Sequence, residues 1–500
     1  MKLLYDILAS MLKIGHIKNL ILDDPVLRII CNQASRRSIG AYLIGGFIRD
    51  ALLGKNPKDA DLMFTGEGNA ELIGKLICEK FGSTLVKFEK HMVVFRITVE
   101  DRQVDLADLY DKTISEDQVR RDFTINSLAV DVGSFVQIPN PDISDILDVN
   151  DGLSDLQNGI IRINSKEVIA DDPLRIVRMF RFEKQLGFDI DVSSLNAIDD
   201  NIDKLADVSG ERVRDELFQV LSHPKAYNTI EKMNNAGVLA EIFPDVEKMR
   251  GVTQNEYHHL DVLDHTMSAI NQFETVVEFQ DPITSLYRDE LTGIINDGFV
   301  PNRSRASLMK LALLFHDIGK PETRAIREDG KVTFIGHDKL GLKIIKPYLD
   351  YLHLSNREVH YIISLVEGHL RPGFINLDSP ALSKAIFRFF DRFNDIGVDL
   401  VLFSIADRLA AQGEMVDDAV NEQHNQISSI LLDAYFNKNK LLVRPTELAN
   451  GDDLMRELSL QAGKRIGILL KVIKEGQASG EVSTYDDAIE YAKNFMKDNE

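Results

Sequence analysis

Three aspartates and a glycine pair carry the first chemistry legible in this sequence. Asp59 and Asp61 are spaced i, i+2 at what reads as the start of a strand, so both side chains leave one face. Asp105 sits in VDLA, an otherwise apolar stretch, where an acid is costly to bury unless paired or metal-bound. Carboxylates on adjacent strands suit two divalent ions about 4 Å apart and in-line phosphoryl transfer. One ion would activate an attacking hydroxyl, and the other would neutralise a triphosphate and its departing pyrophosphate. Gly45-Gly46 falls at a strand-to-helix turn, where missing Cβ atoms let a phosphate reach backbone N–H groups. Any one of these acids is equally well read as a turn residue or an ion-pair partner. All three after a Gly-Gly turn are not.

A second set lies beyond residue 250. His265 opens an apolar helix in LDHTMSAI, and LLFHDIGK carries His316-Asp317 followed by Lys320. His337 lies in FIGHD, His369 in LVEGHL and Asp407 in IADRLAA. Imidazoles and carboxylates arranged in this way suit a borderline divalent ion. A lone histidine on an apolar helix is usually a satisfied core residue, and His258 and His259 are read so.

The elements that must position these groups follow from periodicity. Residues 1–39 read as a helical arm without chemistry. GAYLIGG (40–46) is a short strand running into the helix FIRDALLG (47–54). DLMFT, TLVKFE, HMVVFRI and RQVDLAD read as further strands, and a helix holding RRDFTINSLAV (120–130) is expected after them. From about 155 onward helical periodicity dominates. The fold class is α+β: a small α/β head with an antiparallel or mixed sheet on a long all-helical body, with an all-α domain around the histidines. Five segments are expected: 1–39, the head at 40–138, a helical neck and body at 139–250, the histidine domain at 251–410 and a helical tail at 411–500.

Composition limits the setting. The 500 residues, 44% apolar and 27% charged, are too many for one core. Two cysteines, Cys31 and Cys78, form no disulfide framework and fit a reducing cytosol. No run approaches the roughly 20 apolar residues of a spanning helix, and the N-terminus is not signal-like, so a soluble cytoplasmic protein without membrane partners is expected. A net charge of −21 opposes indiscriminate nucleic-acid binding and speaks against DNA. RNA, if bound, must meet the local cluster Arg120, Arg121, Arg175, Arg178 and Arg181.

GGFIRDALLGKNPKDADL (45–62), RRDFTINSLA (120–129), DDPLRIVRMFRFEKQLGF (171–188) and VSGERVRDELFQVL (208–221) resemble class II tRNA nucleotidyltransferases and bacterial poly(A) polymerases of the polymerase-β-like superfamily. The resemblance implies addition of nucleotides to the tRNA 3′ end from CTP and ATP with Mg2+. Asp59 and Asp61 match the metal-binding pair, and Asp105 the third carboxylate. Gly45, Gly46 and Arg49 match the triphosphate segment, Asp122 and Asn126 the residues that hold the ribose, and Arg120 and Arg121 are assigned to phosphates. Asp172, Arg175 and Arg178 recur every three residues as a helical stripe. In the family, the Asp and Arg of this motif read the edge of the incoming base in place of a template. A carboxylate accepts from the amine that cytosine and adenine share, and an arginine fork donates to ring acceptors. Pro173 suits a first helical position, which makes Asp172 a natural N-cap as well.

The ordered histidines resemble the HD phosphohydrolase superfamily. That implies His265, His316, Asp317 and Asp407 around one ion (Mn, Ni, Co or Fe), His337 and His369 extending the site to a second, and Lys320 facing a substrate phosphate. In the nucleotidyltransferase family, a flexible loop after the third carboxylate helps switch one pocket from CTP to ATP. Here only residues 106–119 separate Asp105 from Arg120. Ser115 and Gln118 have capping-box spacing, leaving about eight residues of free connection. Enzymes that add only the two cytidines resemble this arrangement. Full CCA addition, CC addition, poly(A) synthesis and an HD hydrolase with a non-catalytic head all remain open at this stage.

Overall fold

The computed structural model describes residues 12–89, 92–300, 303–413, 418–438 and 440–498. The chain divides into two compact units, Met1–Val208 and Ser209–Glu500. The first residues of the expected arm, 1–11, lie outside the described residues.

In the first unit, the helices Ile14–Asp23 and Pro25–Arg37 are separated by Asp24, whose carboxylate accepts from the Val26 and Leu27 N–H groups at 2.8 Å. With proline at the first position, this makes a strong helix start. Six strands follow: β1 (Ala41–Ile44), β2 (Ala60–Phe64), β3 (Leu85–Glu89), β4 (Val93–Val99), β5 (Arg102–Asp108) and β6 (Ala129–Asp131). They form one mixed sheet in the order β3-β4-β5-β2-β1-β6, parallel only between β2 and β5. Leu43, Ile44, Leu62, Phe64, Val104 and Leu106 are fully or almost fully buried and supply the head's core. The helix Asn69–Phe81 lies close to the sheet because Gly74 has no side chain; a Cβ there would sit 2.7 Å from the Leu85 methyl.

Two local expectations are corrected. RRDFTINSLAV is not helical. The helix Ile114–Val119 stops before it, Thr124–Asn126 makes a single 3-10 turn, and Ala129–Asp131 is strand β6 against β1. Side-chain amides satisfy two of the carbonyls a helix would have used, those of Ser127 and Arg121. Gln118 Nε2 donates to Ser127 O (2.6 Å) and Leu147 O (2.7 Å), and Asn164 Nδ2 donates to Arg121 O (2.8 Å). The capping box is Thr113 with Glu116 rather than Ser115 with Gln118, because Gln118 is buried and committed elsewhere. Since β5 runs to Asp108 and the helix starts at Ile114, the connection is only 109–113.

The neck comprises Glu167–Asp171 and Arg175–Leu186, the latter ended by Gly187 at φ +70°. Asp172 lies between them in extended backbone, with Leu174 at the N-cap position, so only Arg175 and Arg178 of the expected stripe share the helix.

The second unit is helical. Val262–Val277, Arg305–Phe315, Asn356–Gly368 and Ile396–Ala410 pack together, and His337–Tyr351 packs on Asn356–Gly368. Gly451–Leu458, Lys464–Ala478 and Tyr485–Asp498 form a separate cluster around Leu454, Leu469 and Ala488. No helix among the described residues is long and apolar enough to cross a membrane.

Candidate functional site

The head site is built on strand register. Asp61 on β2 lies directly opposite Asp105 on β5, and Arg96 on β4 lies opposite Asp105 from the other side. The Arg96 fork grips both oxygens of Asp105, Nε at 2.8 Å and Nη2 at 2.7 Å. Asp59 precedes β2, and its Oδ1 accepts from the Gln103 N–H at 2.9 Å. Desolvation pushes the Asp61 carboxyl above the usual carboxylate range; Arg121 pulls it back, and Asp105 adds to the rise. Oxygen donors are what a hard divalent cation takes, yet Arg96 and the Gln103 N–H engage Asp105 and Asp59, and among the described residues Asp59, Asp61 and Asp105 do not close into one ligand group.

Gly45 caps the helix Gly46–Leu52 at φ +87°, a left-handed conformation that glycine adopts freely. A Cβ there would meet Arg121 Nη1 at 3.2 Å and Asp61 Oδ2 at 3.4 Å, so glycine also keeps the acid and the guanidinium close. The Gly45 N–H is committed to Leu128 O at 3.1 Å. Arg121 is held by Asp117, a buried acid that also binds Arg120. Burial alone would raise Asp117, but the two guanidinium ions bring it below its ordinary value.

These groups open onto a cavity of about 240 Å³, lined by Gly45, Gly46, Arg49, Asp61, Arg121, Asp122, Asn126 and Arg178. Arg49 Nη1 donates to Asn126 Oδ1 (2.6 Å), Asn126 Nδ2 donates to Asp122 Oδ1 (3.1 Å), and Arg178 Nη2 lies 2.7 Å from Asp122 Oδ2. Asp122 and Asn126 therefore do meet, across the 3-10 turn rather than along a helix. Asp59, Asp105, Arg120, Asp172 and Arg175 lie off this wall. Arg175 Nη1 donates to Val168 O at 2.9 Å. Sequence reasoning missed two lining residues, Phe182 and Gln185, and read Arg181 only as part of the basic cluster, although all three line the cavity. Their spacing from Arg178 (i+3, i+4, i+7) is one helical face and was the available signal.

In the second unit, every expected ligand converges. His265 Nε2 lies 2.8 Å from Asp407 Oδ1 and 3.8 Å from Asp317 Oδ2. His316 Nε2 lies 3.2 Å from Asp317 and 3.4 Å from Asp407. His337 and His369 approach Asp317 Oδ1 at 3.4 and 4.0 Å and each other at 3.5 Å. The Nδ1 atoms of His316, His337 and His369 lie 2.7–2.8 Å from the carbonyls of Leu313, Phe334 and Val366. An N–H there fixes the tautomer and leaves each Nε2 as a donor to a metal. Buried His316 Nε2 makes no hydrogen bond, which a metal would satisfy. His265, His316 and Asp317 form one candidate ion group, and Asp317, His337 and His369 another. Burial would lower His316, yet Asp317 and Asp407 push it up to about 10; burial and His316 bring His369 down to about 4.

Lys320 Nζ sits 2.6 Å from Asp317 and 2.7 Å from Gln254 Oε1. It lines a cavity of about 490 Å³ with Asp317, His337, His369 and Asp407. His258, read from sequence as a core residue, lines the same cavity with its ring 4.7 Å from His265. His424 and Arg408 were also missed.

Three family models match consecutive parts of the chain: the poly A polymerase head domain at 41–162, the probable RNA and SrmB-binding site of polymerase A at 187–249, and the HD domain at 287–412. The chain belongs to the tRNA nucleotidyltransferase and poly(A) polymerase family and carries an HD domain. Within this family, an A-adding tRNA nucleotidyltransferase of Deinococcus radiodurans is 28% identical, covering 92% of this chain and 96% of the relative. A CC-adding tRNA nucleotidyltransferase of Thermus thermophilus is 29% identical, covering 90% and 92%. A CCA-adding enzyme solved with ATP matches with a TM-score of 0.62 at 19% identity over 96% of each chain. The Thermotoga maritima CCA-adding enzyme complexed with tRNA matches at 0.58 and 21%, covering 96% of this chain and 98% of that one. These structures establish the shared family fold. His265 lies outside the matched HD segment, and the fold brings it into the site.

Proposed function

We propose that this chain extends the 3′ end of tRNA without a nucleic-acid template, transferring nucleotidyl groups from CTP or ATP. The observation that carries the reading is Asp61 beside Asp105, facing a cavity walled by Gly45, Arg121 and Arg178. Relatives similar over nine-tenths of the chain, named as CC- and A-adding tRNA nucleotidyltransferases, support tRNA over poly(A) synthesis. They also support a catalytic head.

Bound Mg2+ would activate the RNA 3′-hydroxyl and neutralise the departing pyrophosphate, with Asp59, Asp61 and Asp105 as its ligands. Arg121 and Arg49 hold the triphosphate, and Arg120 serves phosphates nearby. Asp122 and Asn126 hold the ribose. Asp172 and Arg175 read the base edge, and Arg178 is anchored on Asp122 beside them. Burial lowers Arg175, while Asp122 and Asp172 raise it, so the guanidinium is electrostatically tied to both acids.

The HD site hydrolyses a phosphoester with a divalent transition ion (Mn, Ni, Co or Fe) held by His265, His316, Asp317 and Asp407, with His337 and His369 extending it. Lys320 orients Asp317 and meets the phosphate. Two free cysteines fit a cytoplasmic setting.

The short 109–113 connection favours a chain restricted to one part of the CCA sequence, with CC addition as the preferred form. The test offers tRNA lacking its 3′ end, tRNA ending in C or CC, and an unrelated RNA, each with single labelled nucleotides. Incorporation confined to tRNA ends supports the reading; extension of the unrelated RNA with AMP would move it to poly(A) synthesis.

A further inference from the structure

Phe182 is almost fully buried on the neck helix, yet three guanidinium groups surround its ring. Arg181 lies 4.2 Å from the ring centroid, Arg49 5.0 Å and Arg178 5.8 Å, all within cation–π range. Its edge packs on Phe123 of the RRDFTIN segment, with centroids 5.4 Å apart and planes at 79°. The polar contacts on the other side complete a circuit. Arg49 donates to Asn126, Asn126 donates to Asp122, and Asp122 pairs with Arg178. Both ends of that chain, Arg49 and Arg178, return to the Phe182 ring. Three segments far apart in sequence, the helix after Gly45, the 3-10 turn and the neck helix, are therefore registered through one aromatic face.

We infer that Phe182 is a positioning residue for the incoming nucleotide: its ring seats the Arg49, Arg178 and Arg181 guanidinium groups and sets the neck helix in register with the phosphate and ribose groups. Asp50 and Asp122 already pair with Arg49 and Arg178, and the aromatic face adds for each of the three guanidinium groups a negative quadrupole that an aliphatic side chain of similar volume does not offer. The ring's partners, Phe123, Arg49, Arg178 and Arg181, are none of the three expected metal ligands, so its contribution is to nucleotide binding and base choice rather than to metal binding. The inference rests on the nucleotidyl-transfer reading of the cavity.

The test compares wild type, Phe182→Leu, Phe182→Tyr and Arg181→Gln. Steady-state CMP and UMP incorporation into tRNA lacking its 3′ end is measured together with CTP binding by calorimetry and thermal melting. Phe182→Leu is expected to raise KM and Kd for CTP about ten-fold, the scale of a lost cation–π set, with kcat changed less than about three-fold. UMP misincorporation rises with it, the Mg2+ dependence stays put, and Phe182→Tyr restores affinity. Arg181→Gln raises KM in the same direction and keeps the inference testable should the leucine variant not fold. Unchanged CTP affinity in folded Phe182→Leu, or in Arg181→Gln, overturns the inference. So does a tyrosine variant no better than leucine, which would reduce Phe182 to apolar filling. Absence of both CMP incorporation here and AMP incorporation into tRNA ending in CC by wild type would instead contradict the underlying function.

Discussion

Asp61 and Asp105 are direct register partners across the parallel pair β2–β5, and Arg96 on the next strand clasps Asp105 with both arms of its fork. The sheet thus places two acids side by side, with one neutralised from outside and the other turned to the cavity beside Arg121.

Asp61→Asn keeps the shape of this row and removes one negative charge. Nucleotide addition should fall at least a hundred-fold on the scale of about 3 kcal/mol or more of lost charge stabilisation. Folding and tRNA affinity, measured by thermal melting and filter binding, should stay near wild type. Retention of a tenth of the activity would contradict the metal-binding role.

Asp117→Asn should act through Arg120 and Arg121, which the buried carboxylate holds at i+3 and i+4. Breaking a buried pair costs about 3–5 kcal/mol, discounted here to about 1–3 because both arginines are partly exposed. The sign of the pH effect is fixed by the depressed pKa. Its stabilisation is present above the unfolded value of about 3.9 and is lost as pH falls through the lower folded value. The gap between wild type and mutant in urea midpoints should be constant from about pH 6 to 8 and shrink below about pH 4. A gap that grows on acidification would show that Asp117 is not the anion in this pair.

The two proposed chemistries should separate. His316 lies in the second unit, among ligands that include no residue of the head. His316→Ala should abolish hydrolysis of a generic phosphoester with added Mn, Ni or Co and leave CMP incorporation within about two-fold. Equal loss of both activities would sink the assignment of two independent sites.

Much of this was legible in the sequence, for identifiable reasons. Asp59, Asp61 and Asp105 stand out because strand periodicity is short and acids in apolar runs are costly. The HD ligands stand out because their order survives between helices. Arg96 was not seen, although the tight turn at Glu100-Asp101 (Glu100 at φ 57°) fixes the β4–β5 register that sets it opposite Asp105. The helix expected through RRDFTIN failed because side-chain amides take its carbonyls, Gln118 that of Ser127 and, from beyond any local window, Asn164 that of Arg121. His258 escaped because its place depends on Gly413, whose N–H donates to Tyr257 O at 3.0 Å. A Cβ at Gly413 would strike the 256–258 backbone at 2.3–2.4 Å.

The 109–113 connection sets an expectation for which nucleotides are added. Five residues between a strand and a capped helix are too few for a lever that reshapes the pocket between CTP and ATP. Transfer of AMP to tRNA ending in CC should be far slower than transfer of CMP to tRNA lacking all three nucleotides. Comparable rates would show that another element performs the switch, and fast AMP addition with no CMP addition would assign the chain to A addition.

The most direct test of the whole account is incorporation of labelled CMP into tRNA lacking its 3′ end, by purified protein with Mg2+ and no template. Wild type should add CMP to that tRNA, Asp61→Asn should add none, and an unrelated RNA should receive none. A well-folded wild-type protein that adds neither CMP nor AMP to any tRNA end would contradict it.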